Sequence, residues 1–585
     1  MDHSSFPFTR KRPGNRYGRY FILFPLQLIL FFATTPGNPY WLPVKKLLLE
    51  NSIEPTDLYI IKNASGSSSF RIDLLLERPL TSIDYILQIA EVSHKPDWPL
   101  LLNQQPISEV YPASIKNLTE LIGFLEAYDQ DMNQILQKLH QKILSHLPSD
   151  YLEYWTRHIF NQNPGTQSLI EQERMDSLYF SILDSISNRE LVQPLYKALK
   201  LIGLMEQKKI TFKIKNSPQT IDYPQGRVVI GTLGDDIYTE PVWLIIDPGG
   251  NDRYSFSRGM PMFHNQFIID IQGNDEYNGS RELSLNAAYM NSNILIDLAG
   301  DDHYTAESAS IGSALMGNCV LYDGMGNDTY QIEKYGQSFA FLGNAILWDR
   351  QGNDHYQGGC FIQASAFPQG LAILLDQDGD DEYISQGIQP DIRDTSAYDT
   401  FGQGYGMGFR PWCHGGCGML IDINGNDYYW GSYFAQGCGY WKSVGILIDK
   451  TGDDQYQARR YAQGAGIHLA AGLLLDQDGN DSYQSWGVSQ GCGYDYALGC
   501  LIDENGSDDY RAEWYSMAAA DKNGCGILID TKGSNQFITL QANCLAFADT
   551  ARATCSFSLF LYDSLFSQCI SQPHTPRAIG LGYEK

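Results

Sequence analysis

The sequence predicts a mainly β protein, a β-solenoid of about eleven coils of 26–27 residues preceded by an α-helical domain. The first supporting observation is a fixed period. In GILIDKTGDDQYQ, at 445–457, an aliphatic run ends in an aspartate, called here the leading aspartate, and a second aspartate follows five residues later. Most leading aspartates are 26 or 27 residues apart, and they stand at Asp247, Asp270, Asp297, Asp323, Asp349, Asp376, Asp422, Asp449, Asp476, Asp503 and Asp530.

Two further observations concern the shape of one coil. Residues alternate within ILID and QYQ, which predicts strands that turn Leu447 and Tyr456 away from the face of their neighbours. Gly452 follows where the chain must turn sharply. A coil of this length suits two or three short strands, and about eleven coils stacked at roughly 4.8 Å would make a rod some 50 Å long.

Residues 1–37 are expected to form a signal peptide or an N-terminal membrane anchor. Five basic residues within 1–19 precede the apolar run 20–33, a pattern typical of export signals. That run has 14 residues, short for a membrane span, which needs about 20. A cleaved signal, an uncleaved anchor and an ordinary buried segment all remain open. The first two predict an exported protein of the cell envelope, the cell surface or the secreted fraction.

Residues 38–228 are expected to form a mostly α-helical domain. Apolar residues recur at helical spacing in the segments 115–125, 135–144, 178–186 and 191–202. The segment contains no HExxH, glycine-rich phosphate loop or GxSxG motif, so it offers no recognised catalytic signature.

Residues 229–540 are expected to form the solenoid, and 541–585 a C-terminal cap that protects its end. One coil, between Tyr383 and Asp422, is 19 residues longer than the others, which predicts an insertion near 385–412. Seven residues after the tyrosine of several coils a glutamine recurs, which predicts a ladder of stacked amides. These glutamines are Gln337, Gln363, Gln436, Gln463 and Gln490.

Composition narrows the classes of partner. The formal net charge of −27 argues against a nucleic acid, because phosphate binding requires clustered lysine and arginine. The expected partner is therefore an unidentified protein or polysaccharide, with membrane contact only through the N-terminal segment if it is not cleaved. The 11 cysteines match no disulfide scaffold, and small buried side chains are the simplest interpretation.

The stretch RYAQGAGIHLAAGLLLDQDGNDSYQSWGVSQGCGYDYALGCLIDENGSDDY resembles repeats of functionally unassigned exported bacterial proteins that alternate LLxDxxGxDxY with AQGxG. The Gly-Asn-Asp turn is also similar to calcium-binding repeats of the RTX family, which implies a β-roll with calcium in its turns. This chain departs from the RTX pattern in two ways: its period is 26–27, and the double glycine before the aspartate of the turn occurs only at Gly249–Gly250. The resemblance covers about half of the chain and implies a solenoid, with no activity attached.

Stacking would place the aspartates in columns about 4.8 Å apart, where bare charges repel by about 3.5 kcal/mol at an effective dielectric of 20. Two interpretations relieve this repulsion. Each leading aspartate accepts backbone N–H bonds from its own turn, or neighbouring turns share Ca²⁺, which takes six to eight oxygen ligands. The candidate calcium ligands are Asp376, Asp378, Asp380, Asp381, Asp427, Asp454, Asp476, Asp478, Asp481 and Asp508.

Two functions follow from the pattern. The first is a non-catalytic exported or cell-surface repeat protein that acts as a structural or binding rod, for which we expect no catalytic residues. The alternative is a β-solenoid carbohydrate-active enzyme with its site at 385–414, because acid–base chemistry requires residues that break the repeat. The candidates for that site are Asp391, Asp394, Asp399, Arg410 and His414. Cys413, His414 and Cys417 supply half of a zinc site at most, so a glycine-rich loop is the simpler interpretation there.

Overall fold

The fold is described from a computed structural model. The described residues are 72–90, 96, 98–102, 114–159, 176–187, 189–207, 213–391, 394–530, 532–541, 544–547, 557–562, 568–570 and 580–583. The chain divides into two compact units, Met1–Lys46 and Leu47–Lys585, and every described residue belongs to the second. The signal or anchor predicted at 1–37 therefore lies outside the described residues.

The part of the chain before the solenoid is helical, as predicted. Its helices are α1 Ile72–Glu77, α2 Thr81–Ile89, α3 Trp98–Leu101, α4 Leu118–Leu144, α5 Tyr151–Ile159 and α6 Val192–Met205, with 3-10 turns at Leu183–Ser185 and Arg189–Leu191. Helix α4 includes most of two predicted helical segments, 115–125 and 135–144, together with the acidic residues that lie between them. Buried Asp129 accepts a hydrogen bond from Asn265 Nδ2 at 2.7 Å, and Asp131 pairs with Lys197, so both carboxylates are accommodated within a continuous helix. No described helix is both long enough and apolar enough to cross a membrane.

Three strands per coil build three long sheets. The first sheet consists of β1 Gln219–Tyr223, β2 Gly226–Ile230, β4 Leu244–Asp247, β6 Gln266–Asp270, β9 Ser292–Ile296, β12 Asn318–Tyr322, β15 Asn344–Trp348, β18 Leu371–Leu375, β23 Cys417–Ile421, β26 Val444–Ile448, β29 Ala471–Asp476, β33 Leu498–Asp503, β36 Cys525–Asp530, β38 Phe557–Tyr562 and β40 Gly580–Tyr583.

The second sheet consists of β3 Ile237–Tyr238, β5 Arg253–Phe256, β7 Glu276–Gly279, β10 His303–Ser308, β13 Thr329–Lys334, β16 His355–Cys360, β19 Glu382–Ser385, β24 Tyr428–Tyr433, β27 Gln455–Ala462, β30 Ser482–Gln484, β31 Gly487–Ser489, β34 Asp509–Ala512, β37 Gln536–Thr539 and β39 Gln568–Ile570. The third sheet consists of β8 Ala287–Tyr289, β11 Ser313–Leu315, β14 Phe339–Phe341, β17 Ser365–Ala366, β22 Tyr405–Met407, β25 Gly439–Tyr440, β28 Gly466–Ile467, β32 Gly493–Tyr494 and β35 Ala520–Asp521. A separate hairpin pairs β20 Pro390–Asp391 with β21 Asp394–Tyr398.

The predicted parallel β-solenoid of about eleven coils is confirmed. Within it, equivalent residues of successive coils pair in register, so that Asp476 lies opposite Asp503 and Tyr456 opposite Tyr483. The solenoid begins with the antiparallel pair β1–β2. In the segment expected to form the cap, β38 and β40 extend the first sheet and β39 extends the second.

The interior of the solenoid contains a continuous aromatic column. The tyrosines of successive coils stack face to face, with ring centroids 4.8 Å apart for Tyr330 and Tyr356. Leucines of the first sheet, among them Leu447 and Leu474, pack against this column, as the strand alternation predicts. The turns approach one another closely: a Cβ at Gly326, whose φ is +156°, would lie 1.5 Å from the carbonyl oxygen of Gly300. Only glycine fits there.

The helices cover the outer face of the first sheet. Leu473, Leu474 and Leu475 of β29 are all fully buried, and helices α1 and α2 contact this strand. Nearer the start of the solenoid, Tyr128 of α4 forms a 2.6 Å hydrogen bond with Ser292. Trp98 of α3 packs edge-to-face on Trp348. Burial on both faces explains why these strands are almost continuously aliphatic in sequence.

Candidate functional site

The leading aspartate of each coil from Asp247 to Asp503 accepts a hydrogen bond from the tyrosine of the preceding coil. Tyr304 Oη donates to Asp323 Oδ2 at 2.7 Å, and the same bond recurs along the stack, for example from Tyr356 to Asp376 at 2.6 Å. In the first coils the other carboxylate oxygen accepts a backbone N–H from its own turn, as from Ala299 to Asp297. The turn bonds expected from the sequence are therefore present there, but the hydroxyl donor was not predicted.

The second aspartate of each coil binds the backbone of the coil before it. The N–H of Asp302 donates to Asp328 Oδ1 at 2.6 Å, and the N–H of Asp328 donates to Asp354 Oδ1 at 2.6 Å. The residue just before the second aspartate lies on the exposed side of the turn, and it forms a ladder in which the backbone N–H donates to the side chain of the preceding coil instead of the next one. There the N–H of Asn327 donates to Asp301 Oδ1 of the preceding coil at 2.9 Å.

From the coil of Asp323 to that of Asp503, both buried aspartates keep one oxygen without a protein partner. At a central coil junction these atoms are Asp302 Oδ2, Asp323 Oδ1 and Asp328 Oδ2, on side chains that are at most 1% exposed. Such groups of three carboxylates, with one oxygen of each within 4.8 Å of the others, recur along the described solenoid. The first are Asp236, Asp247 and Asp252; Asp252, Asp270 and Asp275; Asp275, Asp297 and Asp302; Asp302, Asp323 and Asp328; and Asp328, Asp349 and Asp354.

Burial changes the ionisation of these carboxylates. Desolvation, followed by the charges of Asp297 and Asp323, raises the pKa of Asp302 to about 12. Desolvation and the charge of Asp297 likewise raise the pKa of Asp275 to about 7. Desolvation also raises the pKa of Asp323 well above its ordinary value. Carboxylates this close in a dry interior cannot all be ionised, so each pair must hold a shared proton or a cation.

The last regular coil replaces the second aspartate with an amide. Asn535 stands there, its Oδ1 accepts the N–H of Asp508 at 2.9 Å, and its Nδ2 donates to Asp530 Oδ1. The asparagine therefore makes the bond to the leading aspartate that a protonated second aspartate would make. This observation shows that the geometry of the pair accommodates a donor at the second position.

The ten candidate calcium ligands fall into two sets. Seven lie in the buried column: Asp376, Asp381, Asp427, Asp454, Asp476, Asp481 and Asp508. The other three, Asp378, Asp380 and Asp478, are exposed on the outer side of their turns. Asp380 Oδ1 there accepts two bonds from Asn426, through its backbone N–H and its Nδ2. The column also includes the remaining leading aspartates, which the same sequence period identifies.

The recurring glutamines form a column, but their amides bind the backbone. Gln463 Nε2 donates to the carbonyl of Tyr456 in its own coil at 3.0 Å and to that of Gln484 in the next coil at 3.1 Å. Gln403 takes the same position in the long coil, 20 residues after Tyr383. The structure thus replaces the expected amide-to-amide ladder with bonds between side chain and backbone.

The insertion is divided between two sides of the solenoid. Because Gln403 keeps the glutamine position, 13 of the 19 extra residues precede it and form the hairpin β20–β21. The other six lie between Met407 and Gly416. In that second loop His414 Nδ1 contacts Asp184 Oδ2 of the helical part at 2.7 Å. The structure therefore does not unite the five residues proposed for an enzyme site: Asp391, Asp394 and Asp399 lie in the hairpin segment, and Arg410 and His414 in the loop.

A groove lies on the outer face of the second sheet, beside the hairpin. It has a volume of about 870 Å³ and runs from Ile384 and Tyr398 to Leu540. Its floor is formed by Trp430, Gln457, Gln484, Arg511 and their neighbours, which alternate with the buried tyrosines. No sequence motif marks this groove, because its residues are those that vary from coil to coil.

One guanidinium is fixed in the floor of the groove. Arg459 Nε donates to Asp394 Oδ2 at 2.8 Å, and its Nη2 donates to Ser396 at 3.0 Å. The guanidinium also lies over the ring of Trp486, 4.8 Å from its centroid. Bonds from Ser396 and Arg459 lower the pKa of Asp394 to about 2. The hairpin is thus attached to the solenoid through an ion pair at the groove.

Comparisons of this chain with protein-family profiles, with curated proteins and with solved structures found no match.

Proposed function

We propose that this protein is a non-catalytic repeat protein of the cell surface or envelope, where the solenoid acts as a structural rod and binds a partner along its side. The observation that supports this proposal is the uniformity of the coil junction. The same tyrosine, leading aspartate and second aspartate occupy the same register from the coil of Asp247 to that of Asp503. A uniform stack provides stiffness and a periodic surface.

The groove favours binding over the hydrolytic alternative. Glycoside hydrolysis generally uses two carboxyl groups that face the scissile bond. Among the described residues that line the groove, Glu513 is the one acidic side chain. Asp394 of the hairpin, which bonds to the lining residue Arg459, is held by Arg459 and Ser396. We therefore propose a binding surface on this side of the rod, with no acid–base pair.

The proposal of export is supported by the N-terminal sequence, in which five basic residues within 1–19 precede the apolar run 20–33. We expect the solenoid of the native protein to be digested when intact cells are treated with a protease, while a cytosolic marker stays whole. The readout is an immunoblot with an antibody against the solenoid, with lysed cells as the positive control. Protection of the solenoid in intact cells together with its recovery in the cytosolic fraction would contradict the proposal.

Calcium is the cation proposed for the buried column. Ca²⁺ prefers carboxylate and carbonyl oxygens, and three such oxygens at the Asp302, Asp323 and Asp328 junction have no protein partner. Each coil brings two carboxylates, so one divalent cation per junction would neutralise the column. Asp328 belongs to two adjacent groups and is the residue through which neighbouring sites are linked.

Calcium and protons are expected to compete for this column. When a chelator removes Ca²⁺, the protonated carboxyl groups stabilise the folded chain, because their pKa values are higher in the folded than in the unfolded chain. The folded-state pKa is about 7 for Asp275 and about 9 for Asp427, whereas the unfolded-state pKa is near 3.9. Their stabilising effect is complete below the unfolded pKa and is lost as pH rises through the folded pKa values. We therefore expect the melting temperature of the full chain to fall between pH 5 and pH 9, and added Ca²⁺ to restore it, most strongly at high pH.

The matched variants are Asp328→Asn and Asp378→Asn. The first removes a buried oxygen from two groups and keeps the hydrogen-bond pattern that Asn535 shows, whereas the second changes an exposed carboxylate. Calorimetry should record fewer bound Ca²⁺ ions for Asp328→Asn and an unchanged number for Asp378→Asn. If Ca²⁺ leaves the melting temperature unchanged at every pH, the column holds shared protons and the calcium proposal is wrong.

A further inference from the structure

The groove on the second sheet combines flat aromatic rings with amides in a regular row. Tyr428 and Trp430 project outward from β24, on either side of buried Tyr429, and each is partly exposed. Tyr398, at the end of the hairpin, is 41% exposed. Aromatic faces of this kind, apolar in the middle and able to hydrogen-bond at one edge, are suited to ligands that are themselves flat and amphipathic.

The polar groups of the floor are spaced by the strands. Trp430 pairs in register with Gln457, Gln457 with Gln484, and Gln484 with Arg511. These side chains therefore recur at one strand spacing of about 4.8 Å, and the floor from the strand of Ile384 to that of Arg511 spans roughly 19 Å. An amide offers both a donor and an acceptor in one plane, which matches the paired donor and acceptor roles of a hydroxyl group.

The charges of the groove nearly cancel, although the protein carries a formal charge of −27. The cation of Arg459 is neutralised by Asp394. Of the remaining described lining residues, Arg511 and Glu513 carry one charge of each sign. A strongly anionic polymer would find no net positive surface here, and a cationic one no net negative surface. The lining favours an uncharged ligand.

We propose that this groove binds a neutral glycan chain, with pyranose rings stacked on Trp430, Tyr428 and Tyr398 and their hydroxyl groups bonded to Gln457 and Gln484. A pyranose ring presents an apolar C–H face and an equatorial belt of hydroxyls, which complements rings flanked by amides. A periodic polymer also matches a periodic floor better than a polypeptide of varied sequence does. The proposal deepens that of a binding rod, because it names the class of ligand that the rod takes.

The geometry of the hairpin supports this assignment. The N–H of Tyr398 donates to Ser432 Oγ at 3.1 Å, which fixes the hairpin against β24 beside Trp430. The ion pair of Arg459 with Asp394 ties the first residue of the same strand, β21, to β27. These two attachments hold Tyr398 at the border of the groove before any ligand arrives, so little ordering entropy is lost on binding.

The test uses the full chain and isothermal calorimetry with defined hexasaccharides: β-1,4-, β-1,3- and α-1,4-linked glucose, β-1,4-linked N-acetylglucosamine, β-1,4-linked mannose, and α-1,4-linked galacturonate as the anionic comparison. At least one neutral hexamer should bind more tightly than the galacturonate hexamer. Trp430→Ala should weaken that binding about tenfold or more, equal to about 1.4 kcal/mol, and Gln484→Ala should weaken it less. Tyr496→Ala, which removes a 42%-exposed tyrosine outside the groove, should stay within about twofold of the unaltered protein.

Three outcomes would overturn the proposal: no binding of any neutral hexamer, tighter binding of galacturonate, or equal binding by the unaltered protein and the Trp430→Ala variant. Circular dichroism and melting temperature of each variant would show that it is folded, and Gln484→Ala provides a second, smaller change. Cell-surface exposure is read by protease treatment of cells, so its failure is distinguishable from the failure of glycan binding. If the groove instead takes a polypeptide, no neutral hexamer should bind, which is the first of these outcomes.

Discussion

At the scale of single residues, the recurring feature is the hydrogen bond from a buried tyrosine to the leading aspartate of the next coil. The bond recurs for the leading aspartates from Asp247 to Asp503 and ends in the last coils, where Tyr510 Oη donates to Asp503. Phe537 continues the aromatic column in the last regular coil, and the position opposite Asp530 in the following strand is Tyr562 instead of an aspartate. The hydroxyl donor and its carboxylate acceptor are therefore lost together, whereas the ring is kept for stacking.

The variant Tyr356→Phe should separate these two roles. It keeps the stacked ring and deletes the donor to Asp376 Oδ2, which leaves a fully buried carboxylate oxygen without its partner. We expect the free energy of unfolding to fall by about 1–3 kcal/mol, the cost of an unsatisfied buried acceptor. The midpoint of urea unfolding measures this loss. Tyr496→Phe at an exposed position should change it by less than about 0.5 kcal/mol, and equal midpoints for both variants would refute the role of the hydroxyl.

At the scale of elements, the long coil is an ordinary coil with two additions. In the coil before it, Tyr356 is followed seven residues later by Gln363, with Phe361 between them. Phe401 stacks on Phe361 at 4.6 Å and on Phe434 at 5.0 Å, so it takes the same position although the hairpin precedes it. The hairpin leaves the solenoid and returns without shifting the register.

Deletion of residues 387–399 should therefore restore a standard coil, because it places Gln403 seven residues after Tyr383. We expect a folded solenoid whose melting temperature stays within a few degrees of that of the unaltered protein, and loss of glycan binding because Tyr398 and the support of Arg459 are removed. Calorimetry and thermal unfolding provide the two readouts. A glycine–serine segment of equal length in place of the hairpin is the matched control and should also lose binding. Retention of full affinity by both would remove the hairpin from the site.

In the molecule as a whole, the helices pack against one side of the solenoid, the outer face of the first sheet. The outer face of the first sheet is largely aliphatic, and the helical part buries it through contacts such as those of α1 and α2 with β29. The second sheet, in contrast, leaves its outer face to solvent and carries the groove. The helices therefore determine which side of the rod can meet a partner.

Removal of residues 1–212 should expose that aliphatic face. We expect the fragment 213–585 to form oligomers or to precipitate, because contiguous apolar patches of this kind drive association. Light scattering coupled to size-exclusion chromatography would measure its mass, with the full chain under the same conditions as reference. A monomeric fragment with an unchanged melting temperature would show that the helices are dispensable for the stability of the solenoid.

The solenoid could be predicted from the amino-acid pattern alone, because a residue that must stack on its own equivalent has to recur at a fixed interval. The period, the in-register aspartates and tyrosines, and the glycine turns could all be predicted from that interval. It also identified seven buried aspartates as candidate ligands, although it did not distinguish them from exposed Asp378, Asp380 and Asp478. The spacing does not give the geometry between neighbouring coils. That geometry decides which carboxylate oxygen bonds to a tyrosine, which bonds to a backbone N–H and which has no protein partner.

The division of the insertion and the presence of the groove became visible only in the folded chain. Spacing showed 19 extra residues but not that Gln403 splits them into a hairpin and a loop on different sides. The groove residues Trp430, Gln457 and Gln484 come from three coils and become neighbours only through parallel pairing. Repetition makes the buried interior predictable, whereas an outward-facing site is assembled from the residues that break it.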